Sequence, residues 1–468
     1  MGRHVRIENI SSAGLQTVAL GGSISTQQGT ASDLFDKKMS TDNETNIDLI
    51  KKVTKSGHMS VLEHMTFSIL FTDVSVCIEE FFIEHRLASF TVKSRRYVDF
   101  SNAGFYVPDE CKGTDGNPSI YEKDMRNLFE TYEKLVGMGI PKEDARFILP
   151  YSFHDNFVCT LNAREAIHIV EDLYAMGVQQ AKMACYELED CGSEYLQIYL
   201  ELMGELREKI PVIHDIIAEK HRKIPDIIGP KYIDEEIPSD VTFIAYTDVM
   251  DNLYNICDYT STLWVTNRGT VEVHPQTTTD CALKIANIDP NVFDNPRILE
   301  FLNYYIKIQD ISLSTLTHLV RHRMQSIIVP RLDTVECNRF IVPRTIIDND
   351  GACTLYLKAI DSHIAAFSKL DGHVVKLPWV RQYMLLSGNA INVETCMNAR
   401  ELMTFMKLRT CNRAQWEIKY FADEILKKLR SHEPRIFRYY GPSCYVGHCP
   451  EGKLSCGRAN EMIEKYTI

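Results

Sequence analysis

The tetrapeptide Asn162-Ala163-Arg164-Glu165 occurs twice in this chain, returning 236 residues later as Asn398-Ala399-Arg400-Glu401. Three further pairs of short motifs keep the same order at offsets of 237, 237 and 235 residues. They pair Glu63-His64 with Glu300-Phe301, Glu84-His85-Arg86 with Arg321-His322-Arg323, and Val107-Pro108 with Val342-Pro343. Self-similarity at one nearly fixed period is typical of a duplicated module, because unrelated motifs would not stay in register. The chain is therefore predicted to contain two copies of one module.

Length and composition fit two globular modules. The 468 residues allow two or three domains, and each copy is long enough to build its own core. A hydrophobic content of 45% and a charged content of 24% are typical of soluble proteins. The net charge of -12 argues against nucleic acid as a partner, and no apolar run has the length of a signal peptide or membrane helix. We expect a cytoplasmic protein without a membrane partner, whose 14 cysteines are mostly reduced.

Residue patterns predict strands and helices in each copy. In copy one, a helix over 43–55, a strand over 65–72 and a helix over 76–86 precede long amphipathic helices over 119–138 and 163–188. The first forty residues are polar and broken by glycines. Copy two repeats the order, which predicts an α+β fold with a small, mostly antiparallel sheet and long helices in each module. The predicted boundaries are 1–225 for copy one, 226–440 for copy two and 441–468 for a Cys/His-rich tail.

Several motifs in copy one suit the binding of an anion. The string His58-x-Ser60-x-x-Glu63-His64 is followed by Glu84-His85-Arg86 and then by Ser94-x-Arg96-Tyr97. A helix that ends in His-Arg presents donors to an anion, and a Ser hydroxyl two residues before an Arg in a turn can cradle a phosphate. A solvated helix end and a charged loop would give the same isolated motifs. The chain lacks the glycine patterns of a Rossmann turn and of a P-loop, so neither would hold a nucleotide.

The whole series of motifs resembles the flavin-dependent thymidylate synthases in order and spacing. It continues through Ala145-Arg146 and Asn162-Ala163-Arg164 in copy one, and through Leu408-Arg409 and Ala414-Gln415-Trp416-Glu417 in copy two. The resemblance implies two tandem modules like the thymidylate synthase complementing proteins. It also implies FAD-dependent reductive methylation of dUMP to dTMP, with methylene-tetrahydrofolate and NADPH as co-substrates. Two alternatives stay open: a related flavoenzyme that modifies another uracil nucleotide, and a catalytically silent flavin- or nucleotide-binding homologue.

The resemblance also implies roles for individual residues. Ser94, Arg96 and Arg146 would bind the nucleotide, Arg409 would polarise the pyrimidine, and Ser94, Arg96 and Arg409 are the candidate catalytic residues. The expected flavin contacts come from both copies and comprise His58, Ser60, His85, Arg86, Asn162, Arg164, Arg321, His322, Arg323, Asn398 and Arg400. Family members are homotetramers with shared sites, so a duplicated chain is expected to form a homodimer that acts as a pseudo-tetramer.

The two copies depart from the family pattern at different positions. Copy one has Glu84 in place of the first Arg of Arg-His-Arg, and it has Leu173 where copy two has Arg409. Copy two keeps Arg321-His322-Arg323, but Arg331 stands where the Ser is expected, or takes the place of Arg96 if two residues are deleted there. These complementary losses predict that one kind of site survives, while the other kind has decayed. The surviving site would combine Ser94 and Arg96 with Arg409, with or without Arg321-His322-Arg323.

A cluster of possible metal ligands lies near the C-terminus. Cys444, His448, Cys449 and Cys456 fall within thirteen residues. Three thiols and an imidazole among turn-forming Gly and Pro suit a tetrahedral zinc knuckle. A reduced structural turn explains the same loose spacing equally well.

Overall fold

The structure is a computed structural model that describes residues 4–24, 26–114, 116–184, 192–221, 241–246, 299–300, 302–374 and 378–467. The chain forms two compact units. The first contains Met1–Asp234 and Arg331–Asn389, and the second contains Glu235–Pro330 and Ala390–Ile468. The predicted boundary at 225/226 lies outside the described residues. Within those residues, no helix is both long and apolar enough to cross a membrane.

Each unit holds a four-stranded antiparallel sheet. The described strands are β1 Val5–Glu8, β2 Thr66–Ser75, β3 Ser89–Val92, β4 His154–Asn162, β5 Val241–Tyr246, β6 Asn303–Ser312, β7 Gln325–Ile328 and β8 Ala390–Asn398. The sheet orders are β1-β2-β4-β3 and β5-β6-β8-β7, so the two sheets have the same topology. The predicted α+β fold class is therefore confirmed.

Helices surround both sheets. They are α1 Gly14–Ile24, α2 Ala31–Ser40, α3 Asn43–Lys55, α4 Val76–Ile83, α5 Ile120–Gly137, α6 Lys142–Ala145, α7 Ala163–Ala184, α8 Glu194–Lys209, α9 Pro211–His221, α10 Leu313–Leu319, α11 Arg344–Ile347, α12 Asp350–Val374, α13 Arg381–Met384, α14 Ala399–Arg409, α15 Trp416–His432, α16 Pro434–Phe437, α17 Ser443–Val446 and α18 Ala459–Tyr466. The predicted helix over 43–55 is confirmed as α3, and the one over 119–138 is confirmed as α5 with one residue less at each end.

The two sheets share a strained backbone position. The pairing register shifts once between β2 and β4 and once between β6 and β8. Asp73 and Asp310 lie at these shifts with φ angles of 51° and 53°, in the left-handed region that Asp tolerates better than most residues. Their amides donate to the side chains of Asn156 at 3.3 Å and Asn392 at 3.0 Å. The duplication therefore extends to backbone conformation.

The glycine-interrupted N-terminal region is ordered into β1, α1 and α2. Gly21 and Gly22 lie inside α1, where a glycine costs about 1 kcal/mol relative to alanine. A Cβ at Gly21 would lie 3.2 Å from His64 Cδ2, and one at Gly22 would lie 3.1 Å from Val53 Cγ2. The glycines allow α1 to approach its neighbours closely, and this packing outweighs the low helix propensity.

The first unit includes a segment that the sequence assigns to copy two. Helix α12 packs on α5, and His363 Nδ1 lies 2.7 Å from Asp124 Oδ2 with both side chains buried. The Gly388 amide donates to the Phe147 carbonyl at 2.8 Å, and a Cβ on Gly388 would lie 2.9 Å from that oxygen. The close approach fixes the turn Arg146–Ile148 against the segment Arg331–Asn389.

Candidate functional site

The predicted Ser-x-Arg motif forms a tight turn after β3. The Tyr97 and Val98 amides donate to the Ser94 carbonyl at 3.3 and 2.9 Å, and the Arg96 amide donates to Ser94 Oγ at 3.4 Å. The Ser94 hydroxyl accepts this bond and still carries a hydrogen that can be donated. The turn therefore carries a hydroxyl that can donate two residues before the guanidinium side chain of Arg96, and its binding of a phosphate stays a prediction.

Arg95 anchors the turn in the first unit. Its Nη2 pairs with Glu79, and its Nε lies 3.2 Å from Asp155 Oδ2. All three side chains are buried. Burial raises the pKa of Asp155, and the charge of Arg95 acts in the opposite direction. The sequence did not identify Arg95 as an anchor, because its partners lie 16 and 60 residues away.

Glu143 contacts both Arg96 and Arg146. The Arg96 Nε pairs with the Glu143 carboxylate, and the Arg146 Nε donates to the Glu143 carbonyl at 3.1 Å. Arg146 is only 3% exposed, and its Nη2 has no hydrogen-bond partner among the described residues. Burial, with the nearby charges of Arg95 and Arg96, lowers the pKa of Arg146 to about 10. A buried guanidinium donor without a partner is costly, so this position favours an anionic ligand.

In the second unit, His322 holds Arg409. The Arg409 Nε donates to His322 Nε2 at 2.9 Å, and the Arg409 Nη2 donates to the His318 carbonyl at 2.9 Å. An Nε2 that accepts a hydrogen bond belongs to a neutral imidazole, so the His322 proton is on Nδ1, which lies 2.9 Å from Glu401 Oε1. Burial lowers the pKa of His322, and the charge of Arg409 lowers it further. The hydrogen bond to Glu401 acts in the opposite direction but does not outweigh these effects. The arrangement fixes Arg409 at the C-terminal end of α14.

The predicted Arg-His-Arg turn follows α10 in the second unit. Arg321 and Arg323 are exposed on either side of the buried His322. The turn therefore directs one side chain inward, toward Arg409, and carries two cationic side chains that solvent and ligands can reach.

Copy one replaces this arrangement with a histidine–carboxylate pair. His85 Nε2 lies 3.2 Å from Asp172 Oδ2, and His85 Nδ1 lies 2.9 Å from the Phe81 carbonyl. Burial lowers the pKa of His85, but the hydrogen bonds to Asp172 and Phe81 outweigh it, so the net direction is upward. Leu173, at the position of Arg409, is buried. The chemistry at the two equivalent helix ends therefore differs.

Four of the remaining predicted flavin residues have local structural roles. The Asn162 and Asn398 side chains accept from the Glu165 and Glu401 amides at 2.9 and 2.8 Å and so cap α7 and α14. Arg164 pairs with Glu63, and Arg400 pairs with Glu300. His58, Ser60 and Arg86 are exposed. Their contacts with a flavin stay predictions.

The predicted zinc ligands do not form a metal-binding group in the structure, although three other thiols lie near Cys444. Burial raises the pKa of Cys444, and the nearby thiols of Cys411, Cys449 and Cys456 add to this effect. Across the described part of the chain, which includes Cys444, His448, Cys449 and Cys456, no three Cys, His, Asp or Glu side chains converge as a metal-binding group. The Cys449 thiol instead donates to Ser455 Oγ at 3.7 Å, and the cysteines are free. The described residues therefore do not show the predicted zinc site.

Two buried glutamates, Glu194 and Glu417, were not predicted as structural residues from the sequence. The Ser75 amide and hydroxyl donate to Glu194 at 2.8 and 2.5 Å, and those of Ser312 donate to Glu417 at 2.8 and 2.5 Å. Burial raises the pKa of Glu194 to about 7. The serines keep the repeat offset of 237 residues, but the glutamates are 223 apart. A gap-tolerant comparison of the two copies would have aligned them.

Comparisons with known proteins agree with this architecture. The family model described as thymidylate synthase complementing protein matches residues 9–198 and 288–435, one region in each half. The flavin-dependent thymidylate synthase of Clostridium tetani is 30% identical over 185 residues, which are 36% of this chain and 74% of that protein. The enzyme of that name from Geobacter sulfurreducens is 33% identical over 151 residues, which are 32% of this chain and 62% of that protein.

A solved structure is also similar. It is the UMP/dUMP methylase PolB from Streptomyces cacaoi, with 23% identity and a TM-score of 0.36, and the match covers 46% of this chain and 94% of that one. The family match alone spans well over half of the chain, in two regions that confirm the duplicated module. The chain therefore belongs to the thymidylate synthase complementing protein family and is a methyltransferase-like enzyme related to the flavin-dependent thymidylate synthases.

Proposed function

We propose that this enzyme methylates dUMP to dTMP reductively, with FAD as cofactor, methylene-tetrahydrofolate as carbon donor and NADPH as reductant. The observation that carries the proposal is the buried Arg146 Nη2, which has no partner among the described residues and lies in a cluster with Arg95 and Arg96. The family relationship supports the same chemistry.

The cationic cluster suits the phosphate of a nucleotide. Two carboxylates hold the buried Arg95, whereas Arg96, which pairs with Glu143, and Arg146 are the guanidinium groups proposed for a ligand. Guanidinium forks match phosphate oxygens in geometry, and charge-assisted hydrogen bonds are about twice as strong as neutral ones. The Ser94 hydroxyl would add a third donor. In this proposal, Ser94, Arg96 and Arg146 bind and orient the substrate through its phosphate.

The second unit has side chains that fit a flavin. Arg321 and Arg323 are exposed on one turn, and a pair of guanidinium groups can bind the diphosphate of FAD. When bound, FAD would supply the hydride for the reduction. Arg409, fixed by His322 and the His318 carbonyl, would donate to a pyrimidine oxygen and stabilise the negative charge that makes uracil C5 nucleophilic.

We further propose that catalysis needs both copies, with Ser94 and Arg96 from copy one and Arg409 from copy two, in a homodimer that acts as a pseudo-tetramer. Sedimentation would show a dimer, and titration would give two FAD per two chains. Four FAD per two chains, a monomer, or full activity in Arg409→Ala would contradict this arrangement.

Visible absorption spectroscopy, followed by product analysis, tests the proposed reaction. The FAD-loaded protein is titrated with dUMP and then supplied with methylene-tetrahydrofolate and NADPH. A flavin spectrum that dUMP perturbs, together with formation of dTMP, would support the proposal. Methylation of a different uracil nucleotide would favour the related flavoenzyme. Absence of flavin binding and of turnover would favour the silent homologue.

A further inference from the structure

We propose that the Glu143 carboxylate is an internal counter-ion for Arg96, which the substrate phosphate must displace in order to bind. The inference rests on the proposed function, because it takes a nucleotide phosphate as the ligand. It gives Glu143 a role that depends on its charge in addition to its backbone contact with Arg146.

Glu143 contacts both guanidinium groups through different atoms. Its carboxylate pairs with the Arg96 Nε, and its carbonyl accepts from the Arg146 Nε at 3.1 Å. The side chains of Arg96 and Glu143 are 25% and 18% exposed, so the pair is shielded but lies within reach of solvent. A rotation of the Glu143 side chain would break its ion pair with Arg96 and leave the carbonyl that orients Arg146 in place.

The neighbouring carboxylates are held elsewhere. Glu79 and Asp155 bind Arg95, and Asp144 accepts from the Thr345 hydroxyl at 2.6 Å. Glu143, on α6, pairs with the guanidinium of Arg96. It compensates the charge of Arg96 when no phosphate is present.

A bound phosphate and the Glu143 carboxylate would compete. Both are anions that seek the same guanidinium, and two like charges at close range in a shielded site repel each other strongly. The phosphate must therefore displace Glu143, and the cost of this displacement lowers the affinity of the site for anions. Weakly held anions such as inorganic phosphate are excluded, whereas a nucleotide compensates through contacts to its sugar and base.

Substitution of Glu143 by Gln separates charge from shape. Gln keeps the length of the side chain and the backbone carbonyl but removes the negative charge. We expect Glu143→Gln to bind dUMP about tenfold more tightly than the unsubstituted protein, since a tenfold change is a modest effect for one partly shielded charge pair. Affinity for deoxyuridine, which lacks the phosphate, is expected to stay unchanged, and inorganic phosphate is expected to compete with dUMP more effectively.

Isothermal titration calorimetry of the FAD-loaded protein measures these affinities. Asp144→Asn is the matched control, because it removes the same charge from the adjacent residue and keeps an acceptor for Thr345. We expect the control to bind dUMP as the unsubstituted protein does. If the unsubstituted protein binds dUMP, and Glu143→Gln binds it equally or more weakly with normal flavin content, the inference is overturned and Glu143 only positions the arginines. If neither protein binds dUMP, the proposed function fails, and the inference fails with it.

Discussion

Replacing Glu194 with Gln is expected to stabilise the first unit in alkaline solution and to have little effect in acid. Burial raises the pKa of Glu194 from the usual 4.5 to about 7. The folded protein therefore keeps a proton on Glu194 that the unfolded chain has lost. This contribution to stability is complete below pH 4.5 and disappears as the pH rises through about 7. The difference in pKa corresponds to about 3 kcal/mol above pH 7.

Gln resembles the protonated acid in shape and hydrogen bonding. Its oxygen can accept from the Ser75 amide, and its amide can donate to the Ser75 hydroxyl, which reverses the direction of the second native bond but keeps both contacts. Glu194 is only 4% exposed, so solvent screening reduces the effect little. The variant is therefore expected to gain about 3 kcal/mol in free energy of unfolding at roughly pH 8.5 and almost nothing at roughly pH 5.

Denaturant unfolding with a single fluorescent reporter measures this difference. Trp379 is buried in the first unit, and Phe in place of Trp264 and Trp416 leaves it as the only tryptophan. Glu417→Gln provides the control, because Glu417 has the same bonds to a serine in the second unit and should leave the Trp379 transition unchanged. A Glu194→Gln protein that is destabilised at pH 8.5, or changed equally at both pH values, would refute the reasoning.

Three further results are expected. Arg146→Gln should weaken dUMP binding about tenfold to a hundredfold in calorimetry and leave deoxyuridine binding unchanged, because a charged donor to phosphate is lost; equal losses for both ligands would contradict a phosphate role. Because Arg409 donates to neutral His322, kcat/KM should fall as the pH drops below the usual histidine pKa of about 6.5, and this fall should be absent in His322→Gln; an unaltered profile in the variant would assign the titration elsewhere. Arg409→Lys should lower kcat by at least about tenfold, because one ammonium cannot reproduce the two bonds to His322 and His318; unchanged turnover would remove Arg409 from catalysis.

Local features of the fold were predictable where short-range physics determines them. The repeated Asn162 and Asn398 mark the points where β4 and β8 give way to helices, since an Asn before an apolar helical run is a favourable N-cap. The bounds of helix α3 were predicted to the residue. The helix around Gly21 was not, because only the neighbours of α1 make a glycine useful there.

Long-range relations could not be predicted. Helix α12 belongs to copy two in the sequence but packs on α5 of copy one. Because the two copies are similar, the sequence does not show which of them α12 packs against. A long-range contact in the candidate functional site was likewise not predicted. The motif series indicated Ser94, Arg96 and Arg146, but the counter-ion Glu143 lies 47 residues from its partner Arg96. The positions of these residues in the sequence therefore did not show that Arg96 is paired with a carboxylate.

The packing of α12 on α5 has an evolutionary consequence. A gene that encoded only the first half would produce a protein whose α5 face is uncovered and whose buried Asp124 has lost His363. The other half would carry α12 without the helix on which it packs. Fission of the gene would thus create two polypeptides, each needing the other to complete its interior. The link between the two copies therefore keeps two complementary surfaces in one polypeptide, while the copies can diverge in chemistry.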